Sequence, residues 1–374
     1  MSADYDSIVV GVGGMGSATV AALADRGVDV LGLERFDVPH TNGSSHGGSR
    51  IIRLAYEEGA GYVPLLHRAY ERWRDLDARH DGVLTTTGSV TVGPPGNEDV
   101  TAARHSLDAH DTPYDAVTGA DLNARHPGHE FPADWEGVSQ PDGGFLDPER
   151  AISAYVEDAF AAGATVRARE SVTDWTADES GVTVTTDRDT YTADHLVFTA
   201  GAYTQTLVPA LADVLQPERQ VMAWFQPTHP EWFDPHDFPV FIAHTDDGEF
   251  YGFPRHDRPG VKVGKHHHFA EPTTPGDVPE PTREDEAVIH DFLAAHMPDA
   301  AGPTLSLVTC IYTNTPDRDF LIDTHPDHEN VTVAAGFSGH GFKFVSVVGE
   351  ILADLTLDGT TDHPIDTFRY DRFD

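Results

Sequence analysis

The stretch that decides the fold, Ser7–Gly16, reads Ser-Ile-Val-Val-Gly-Val-Gly-Gly-Met-Gly. Its apolar residues over 7–12 predict a buried strand, and a helical pattern follows from Ser17 to Arg26. A second strand is predicted from Val28 to Leu33, and Glu34 comes directly after it. A strand, a helix and a second strand within about 30 residues are typical of a βαβ unit in a parallel sheet.

Three glycines in this stretch, Gly11, Gly13 and Gly16, match the pattern G-x-G-x-x-G. Glycine at these positions allows a tight turn, close approach of the backbone to a pyrophosphate, and close packing of helix on strand. The free N–H groups at a helix start stabilise phosphate charge, and Glu34 is placed to accept a hydrogen bond from a ribose hydroxyl. The pattern therefore predicts a dinucleotide site, but it does not separate NAD from FAD.

The chain is strongly acidic, with 62 Asp and Glu against 24 Lys and Arg and a formal net charge of −38. The acidic residues are scattered rather than collected in a tail, and lysine occurs only at positions 262, 265 and 343. A dispersed acidic surface that nearly excludes lysine is typical of proteins adapted to molar salt, which screens the self-repulsion. Nucleic acid is excluded as a partner, because binding to its phosphate backbone requires a basic surface.

The single cysteine, Cys310, excludes an intrachain disulfide framework and a cysteine-rich metal site. His266 and His268 could share one face of a strand, but no third ligand accompanies them, and we expect no metal. No apolar run approaches the roughly 20 residues of a membrane span. Asp4 and Asp6, rather than basic residues, precede the first apolar run. We therefore expect a cytoplasmic protein without a signal peptide or a membrane partner.

Helix and strand patterns alternate along the rest of the chain. Amphipathic helices are predicted at Tyr62–Leu76, Pro148–Ala161 (with Asp147 as its N-cap), Arg283–His296 and Phe342–Leu357. Strands are predicted at Gly82–Gly93, Thr165–Val172, Val182–Thr186, Leu196–Thr199, within a block from Gln220 to His268, and at Leu305–Tyr312. The Pro-, Asp- and His-rich segment 227–240 is expected to be irregular surface.

We predict an α/β fold with two interleaved domains. A Rossmann-like dinucleotide-binding domain is expected to consist of residues 1–84, 147–217 and 318–374. A substrate domain, built on a mixed and largely antiparallel sheet, is expected to consist of residues 85–146 and 218–317.

Several basic residues and the cysteine are candidates for a functional site. Arg50 and Arg53 flank an Ile-Ile pair in a polar, glycine-rich loop. Such a loop can be solvated surface, but the apolar pair indicates local burial, and a buried arginine needs an anionic or ring partner. Lys262 and Lys343 can be exposed, but in a chain that nearly excludes lysine we expect both in the site. Cys310, taken alone, is explained equally well as a small buried apolar residue.

Five motifs resemble those of the monomeric sarcosine oxidase and N-methyltryptophan oxidase family of covalent flavoenzymes, within the wider D-amino acid oxidase group. They are His46-Gly-Gly-Ser-Arg50-Ile-Ile-Arg53-Leu-Ala-Tyr56, Tyr251-Gly-Phe-Pro254, Gly260-Val-Lys262-Val-Gly-Lys-His266, Thr309-Cys310-Ile-Tyr312-Thr and Gly336-Phe-Ser-Gly-His-Gly-Phe-Lys343. The similarity runs from end to end, with the motifs in the family's order. It implies a D-amino acid oxidase-like fold, an FAD cofactor and a monomer.

The resemblance also implies the cofactor contacts. FAD would be attached covalently through an 8α-S-cysteinyl bond to Cys310, with His46 and Arg50 against the flavin ring. The turn Gly339–Gly341 would direct N–H dipoles at the N1–C2=O edge of the ring. The predicted cofactor-binding residues are Gly11, Gly13, Gly14, Met15, Gly16, Glu34, Arg35, Ser44, Ser45, His46, Arg50, Val172, Ala200, Gly201, Cys310, Gly339, His340, Gly341, Phe342 and Lys343.

The substrate contacts follow from the same resemblance. Arg53 and Lys343 match a pair that clamps a substrate carboxylate, and Lys262 matches a lysine near flavin N5 that favours electron transfer to O2. The predicted substrate-binding residues are Arg53, Lys343, Tyr251, His266 and Gly339, and the predicted catalytic residues are Lys262, His266, Arg50, His46, Tyr251 and Tyr312. Arg53, Lys262, His266 and Lys343 are expected to form a cationic pocket that keeps a substrate amine unprotonated.

The implied reaction is oxidative N-demethylation of a secondary amino acid, such as sarcosine or N-methyltryptophan, to formaldehyde, the free amino acid and H2O2. Three alternatives stay open: a flavin dehydrogenase with an acceptor other than O2, an oxidase of a cyclic imino acid such as pipecolate or proline, and a protein that binds FAD without turnover. Lys265 and the segment 227–245 depart from the family's pattern, and both could alter the mouth of the pocket.

Overall fold

The structure, a computed structural model, describes residues 3–373. The helices in this range are α1 (Gly14–Asp25), α2 (Val63–His80), α3 (Glu98–Ala109), α4 (Gly119–Arg125), α5 (Pro148–Ala161), α6 (Thr204–Leu207), α7 (Arg283–His296) and α8 (Val345–Asp358). The strands are β1 (Tyr5–Val10), β2 (Val30–Leu33), β3 (Arg50–Ile52), β4 (Leu84–Thr86), β5 (Ser89–Gly93), β6 (Asp115–Thr118), β7 (Glu136–Gln140), β8 (Gly144–Leu146), β9 (Thr165–Arg167), β10 (Val172–Asp178), β11 (Gly181–Thr186), β12 (Thr190–Phe198), β13 (Gln216–Phe225), β14 (Val240–Thr245), β15 (Gly248–Phe253), β16 (Val261–Lys265), β17 (Thr304–Asn314), β18 (Leu321–His325) and β19 (His328–Ala335).

The first sheet has a parallel centre built on the predicted βαβ unit. β1 lies between β2 and β12 and pairs in parallel with both, with Ile8 opposite Leu31 and Leu196. β9 pairs in parallel with β2, and β19 pairs in parallel with β12. β10, β11 and β18 complete the sheet through antiparallel pairs. The carboxyl ends of the parallel strands meet at one edge, where sheets of this kind bind nucleotides.

Both faces of the first sheet are covered. Val9 packs into a core that contains residues of α1, α2, α5 and α8. Ile8 and Val10 point to the opposite face and pack among residues of β11 and β12, as the alternation of side chains along a strand requires. α1 and α8 approach closely, because a Cβ on Gly349 would lie 2.7 Å from the carbonyl carbon of Ala18.

The second sheet has the order β17-β13-β16-β15-β14-β5-β7-β6 and is antiparallel except for the pair β14–β5. On one face of this sheet, Phe250 of β15 stacks on Phe292 of α7 with ring centroids 4.2 Å apart. A small third sheet has the antiparallel order β3-β8-β4. The predicted α/β fold with a mixed, largely antiparallel second sheet is confirmed.

Helix boundaries were predicted best where capping residues mark them. α5 and α7 have the predicted bounds, and Asp147 caps α5 by accepting a hydrogen bond from the backbone N–H of Arg150. α1 begins at Gly14 rather than Ser17, and α2 continues to His80.

Other predictions were wrong in detail. The stretches 82–93 and 165–172 each contain a break, so that β4 is separate from β5 and β9 from β10. α3 and α4 were not predicted at all. The segment 227–240 is irregular as predicted, but it is not all surface, because Phe233 and Phe238 are fully buried in the core beneath the second sheet.

Candidate active site

A long cavity opens at the carboxyl edge of the first sheet. Gly11, Glu34 and Ala200, which lie just beyond the ends of β1, β2 and β12, line it. The glycine-rich loop, the acidic residue and the second strand-end loop that the sequence predicted therefore meet in one place.

Two glycines of the loop are needed because a side chain at either position would clash with the backbone of the protein. Gly11 has a φ of +95°, and a Cβ there would lie 2.7 Å from the Cα of Ala200. A Cβ on Gly16 would overlap the carbonyl oxygen of Gly11, so this glycine packs α1 onto β1. Gly13 differs, because its φ is −80° and a Cβ there would have no protein atom within 4 Å. Open space in front of a glycine at a helix start is what the close approach of a phosphate requires.

Glu34 and Arg35 are held in defined positions at the cavity wall. Glu34 Oε2 accepts a hydrogen bond from the N–H of Val12 at 2.9 Å, and Oε1 accepts one from Phe36 at 3.0 Å. Each oxygen keeps a further lone pair for a hydroxyl donor. The guanidinium of Arg35 lies 5.2 Å from the ring centroid of Phe36 and 4.8 Å from that of Tyr203, and these cation–π contacts hold it at the cavity wall.

Most of the predicted cofactor-binding residues line this first cavity: Gly11, Gly13, Gly14, Met15, Glu34, Arg35, Ser44, Ser45, Arg50, Val172, Ala200, Gly201, Gly339, Gly341 and Phe342. Cys310, His340 and Lys343 line a second cavity instead. The residues present fit a dinucleotide, and the individual roles stay predictions.

The second cavity adjoins the first and lies against the second sheet. Arg50, Tyr312, Gly339 and Phe342 line both cavities. The second cavity also brings together the predicted site residues Arg53, Tyr251, His266, Cys310, His340 and Lys343. A molecule in the first cavity would therefore meet a molecule in the second at the four shared residues, which we call the junction.

Cys310 lines the second cavity beside this junction. It is buried on β17, opposite Gln220 of β13. Its Sγ is 3.6 Å from Arg50 Nη2 and 3.7 Å from the carbonyl oxygen of Ser44, to which Arg50 also donates at 2.6 Å. A neighbouring guanidinium is a feature of reactive rather than inert cysteines.

Lys262 and His46 are enclosed in protein and line neither cavity. Lys262 Nζ donates to the carbonyl oxygens of Gly47 and Ser49 at 2.9 and 2.8 Å. Burial, with a smaller effect of Arg50, lowers the pKa of Lys262 well below its usual value. The same two causes lower the pKa of His46 to about 3. Lys262 contacts the loop that contains His46 and leads into the junction residue Arg50. The predicted roles of both residues beside the ring stay predictions.

Arg53 is already paired with carboxylates. Its Nη2 lies 2.7 Å from Glu57 Oε1 and 3.4 Å from Glu58 Oε2, and its Nη1 donates to the carbonyl oxygen of Ala55. Burial disfavours the charged forms of Arg53 and Glu58, but the charge of Arg53 lowers the pKa of Glu58 to about 2. A ligand carboxylate at Arg53 must therefore compete with Glu58, which lines the same cavity.

Burial lowers the pKa of Lys343 and of His266, so both side chains carry less positive charge than they would in water. Lys343 Nζ donates to the carbonyl oxygen of His340 at 2.7 Å, and burial, opposed by Glu58, lowers its pKa to about 8. His266 Nδ1 lies 3.2 Å from the hydroxyl of Tyr312. Burial, reinforced by the neighbouring His267, lowers the pKa of His266 well below its usual value, so the ring is neutral at pH 7.

The expectation that four cationic side chains form the pocket is wrong for two of them, because Lys262 lines neither cavity and His266 is neutral, whereas Arg53 and Lys343 keep positive charge at pH 7. Burial lowers the pKa of three of the four side chains assigned to it, namely Lys262, His266 and Lys343. Two carboxylates that the sequence analysis missed, Glu58 and Glu249, line the same cavity. The signal for Glu249 was its spacing from Tyr251, since residues two apart on a strand face the same side.

Of the two departures from the family's pattern, Lys265 lies outside both cavities and the segment 227–245 reaches the second one. Lys265 lines neither cavity, and its Nζ is 5.9 Å from the ring centroid of Phe250. In the segment 227–245, Ile242 lines the second cavity.

In the described part of the chain, no group of three or more His, Cys, Asp or Glu is arranged to hold a metal ion. Nor does any helix within residues 3–373 combine the length and apolar character needed to cross a membrane.

Comparisons with known proteins agree with this geometry. A family model described as FAD-dependent oxidoreductase matches residues 6–355. The chain is 41% identical to the monomeric sarcosine oxidase of Bacillus sp. strain NS-129, with 100% of this chain and 98% of that protein covered. It is 35% identical to the N-methyl-L-tryptophan oxidase of Escherichia coli O139:H28, with 99% of each covered. Among solved structures, NikD, an amino acid oxidase essential for nikkomycin biosynthesis, matches with a TM-score of 0.84 and 29% identity over 98% of this chain and 97% of that one.

Proposed function

Because the chain belongs to the FAD-dependent oxidoreductase family, we propose that it is an oxidase of a small N-methyl amino acid. The substrate is sarcosine or a similar secondary amine that carries a carboxylate, and O2 accepts the electrons. The products are formaldehyde, the free amino acid and H2O2. The names of the relatives that match over their full length support this reaction.

The observation that carries the proposal is the junction of the two cavities. Arg50, Tyr312, Gly339 and Phe342 line both. An extended cofactor bound along the glycine-rich edge of the first sheet would present its reactive end to a small molecule in the second cavity. The flavin, when bound, supplies the acceptor for a hydride from the N-methyl carbon.

The chain's own residues bind and orient the cofactor. Gly13 allows the pyrophosphate to approach the start of α1, and Glu34 accepts a hydrogen bond from the ribose. Cys310 is the proposed point of covalent attachment through an 8α-S-cysteinyl bond, with Arg50 beside its sulfur at 3.6 Å. Arg50 also tethers the loop carbonyl of Ser44, which keeps the sulfur and the loop together.

On the substrate side, Arg53 and Lys343 bind the carboxylate, and Tyr251, His266 and Tyr312 enclose the amine. Substrate binding displaces Glu58 from Arg53. The buried cavity and the neutral His266, rather than a cationic wall, favour the unprotonated amine, because burial disfavours the charged form. Lys262 is proposed to act on the step with O2, from its buried position behind the junction.

We also propose the domain boundaries and a monomeric state. The first sheet takes its strands from residues 5–33, 165–198 and 321–335, which supports a discontinuous FAD-binding domain of 1–84, 147–217 and 318–374. The second sheet takes its strands from residues 89–140 and 216–314, which lie in the proposed substrate domain, 85–146 and 218–317, except for the first two residues of β13. The name of the monomeric sarcosine oxidases supports a monomer.

The proposal is tested by mixing the purified protein with sarcosine or N-methyltryptophan, first without oxygen and then in air. Loss of the flavin absorbance, followed by O2 uptake with one formaldehyde and one H2O2 per O2, is expected. Reduction by substrate without O2 uptake would instead indicate a dehydrogenase, and reduction by pipecolate or proline alone an oxidase of cyclic imino acids. A flavin that no secondary amine reduces would contradict the proposal.

A further inference from the structure

The carboxylate of Glu249 lines the second cavity without a partner from the protein. Glu249, Tyr251 and Phe253 alternate along β15 and all line this cavity. Among residues 3–373, no side chain or backbone group donates a hydrogen bond to the Glu249 carboxylate, and no basic side chain forms an ion pair with it. It is the unpaired acidic group of the cavity, because Glu58 has Arg53.

The nearby cations are already engaged. Arg53 is held by Glu57 and Glu58, as described above. His244, which pairs with Glu249 across the β14–β15 ladder, lies 3.3 Å from Glu57 through Nε2 and 3.3 Å from Asp99 through Nδ1. Carboxylates thus exceed cations at this end of the cavity, and burial followed by the charge of Glu57 raises the pKa of Glu249 to about 8.

Glu249 is well separated from Cys310, the proposed attachment point of the flavin. Cys310 is on β17, and the order β17-β13-β16-β15 places Glu249 three strands away. With strands about 4.8 Å apart, the two backbones are separated by about 14 Å across the sheet. The side chain of a substrate that reacts beside Cys310 can therefore extend toward Glu249, which lines the same cavity.

A partly buried carboxyl group with no partner tends to stay protonated, and a ligand that supplies a positive charge would favour its ionised form. From its position and its lack of a protein partner, we infer that Glu249 binds a positively charged group at the end of the substrate side chain. The preferred substrates are then N-methyl amino acids with a basic side chain, such as an amine or a guanidine. Their carboxylate binds at Arg53 and Lys343, and their side-chain cation binds at Glu249. This inference rests on the proposed function and adds the substrate class.

The test compares two substrates with the same six-carbon chain, Nα-methyl-L-lysine and Nα-methyl-L-norleucine, of which the second lacks the terminal ammonium group, with sarcosine as reference. The kcat/KM of the holoenzyme is expected to be at least about tenfold higher for the lysine derivative than for the norleucine derivative, as for one charge-assisted hydrogen bond. Glu249→Gln should bring this ratio close to one, and Glu249→Asp should retain part of it. Asp247→Asn, which removes an exposed carboxylate from the turn of the same β-hairpin, should keep the parent ratio.

Each outcome is decisive. Equal kcat/KM values for the two derivatives in the parent enzyme would overturn the inference without any variant. A preference that survives in Glu249→Gln with its normal flavin spectrum would overturn it as well. If sarcosine or the norleucine derivative is oxidised without a preference for the cation, the proposed function stands and this inference fails. If none of the three reduces the flavin, this inference fails, and the proposed function fails with it when N-methyltryptophan does not reduce the flavin either.

Discussion

Arg50 Nη2 lies 3.6 Å from the sulfur of Cys310, although the two residues are 260 positions apart in the chain. The contact joins β3 of the small third sheet to β17 of the second sheet. Arg50 is one of the four junction residues that line both cavities, and Cys310 lines the second cavity beside it. The chemistry of this protein depends on what occupies that junction.

The two kinds of glycine in the first loop should behave differently. Gly16→Ala would force a Cβ against the carbonyl oxygen of Gly11, so the variant should fold poorly and lower the melting temperature by several degrees. Gly13→Ala meets no protein atom within 4 Å and should keep the parent circular dichroism spectrum while losing flavin. Flavin per chain, measured by absorbance, checks this; full flavin content in Gly13→Ala would show that no phosphate approaches that residue.

Glu58 should weaken the binding of carboxylate ligands, because it occupies Arg53 in the structure. Methoxyacetate, which has the shape of sarcosine with an ether oxygen in place of the amine, is a suitable probe. Glu58→Gln is expected to tighten its binding by about fivefold, roughly the value of one partly exposed ion pair. Titration of the flavin spectrum measures the dissociation constant, and Glu329→Gln, at an exposed site, serves as the control. Weaker binding to Glu58→Gln would contradict this competition.

Binding of methoxyacetate should weaken above pH 8. Burial lowers the pKa of Lys343 to about 8, so its charge is present below that pH and lost above it. Burial and Glu57 raise the pKa of Glu249 to about 8, so this residue gains negative charge over the same range, with the same effect on an anion. Affinity is expected to fall by about tenfold per titrating group between pH 7 and 9.

The variant Lys343→Met should lose the Lys343 part of this pH dependence and keep the Glu249 part. The dissociation constant is measured from pH 6 to pH 10 at constant ionic strength. A parent profile that is flat over this range would exclude Lys343 from carboxylate binding.

Lys262 should matter more for the reaction with O2 than for the reaction with substrate. Lys262→Met removes three hydrogen bonds to Gly47 and Ser49 along with the charge. Reoxidation of the reduced flavin is expected to slow by at least about tenfold more than its anaerobic reduction. Stopped-flow absorbance separates the two half-reactions. Lys265→Met removes the same charge from the same strand outside both cavities and should reoxidise like the parent. Equal slowing of both half-reactions in Lys262→Met would contradict the assignment.

The parts of the fold that local signals specify could be predicted from the sequence. The βαβ unit follows from apolar runs and glycine spacing, and α5 follows from Asp147 and Pro148, which cap and start it. α3 was missed because only two large apolar residues, Val100 and Leu107, mark its buried face, whereas the other buried positions are Ala103 and Ser106. Phe233 and Phe238 were assigned to the surface because their neighbours are Pro, Asp and His, whereas tertiary packing buries both rings.

Motifs in the sequence could name part of the candidate site but not its electrostatics. Motifs could name Arg53, His266 and Lys343, but their charge state depends on burial and on partners that only the fold brings near. Glu57 and Glu58 follow Arg53 closely in the chain, yet their pairing with it depends on the conformation of that segment. Glu249 is brought to the cavity by the order of strands in the second sheet, which no local pattern specifies.

The most direct test of the account is the state of Cys310 in the purified holoenzyme. After acid precipitation and proteolysis, the peptide that contains Cys310 is expected to carry the flavin, and the protein pellet should stay yellow. Cys310→Ser should give a colourless pellet with the flavin in the supernatant. A parent protein that releases all its flavin on precipitation, with Cys310 recovered as a free thiol, would contradict the account.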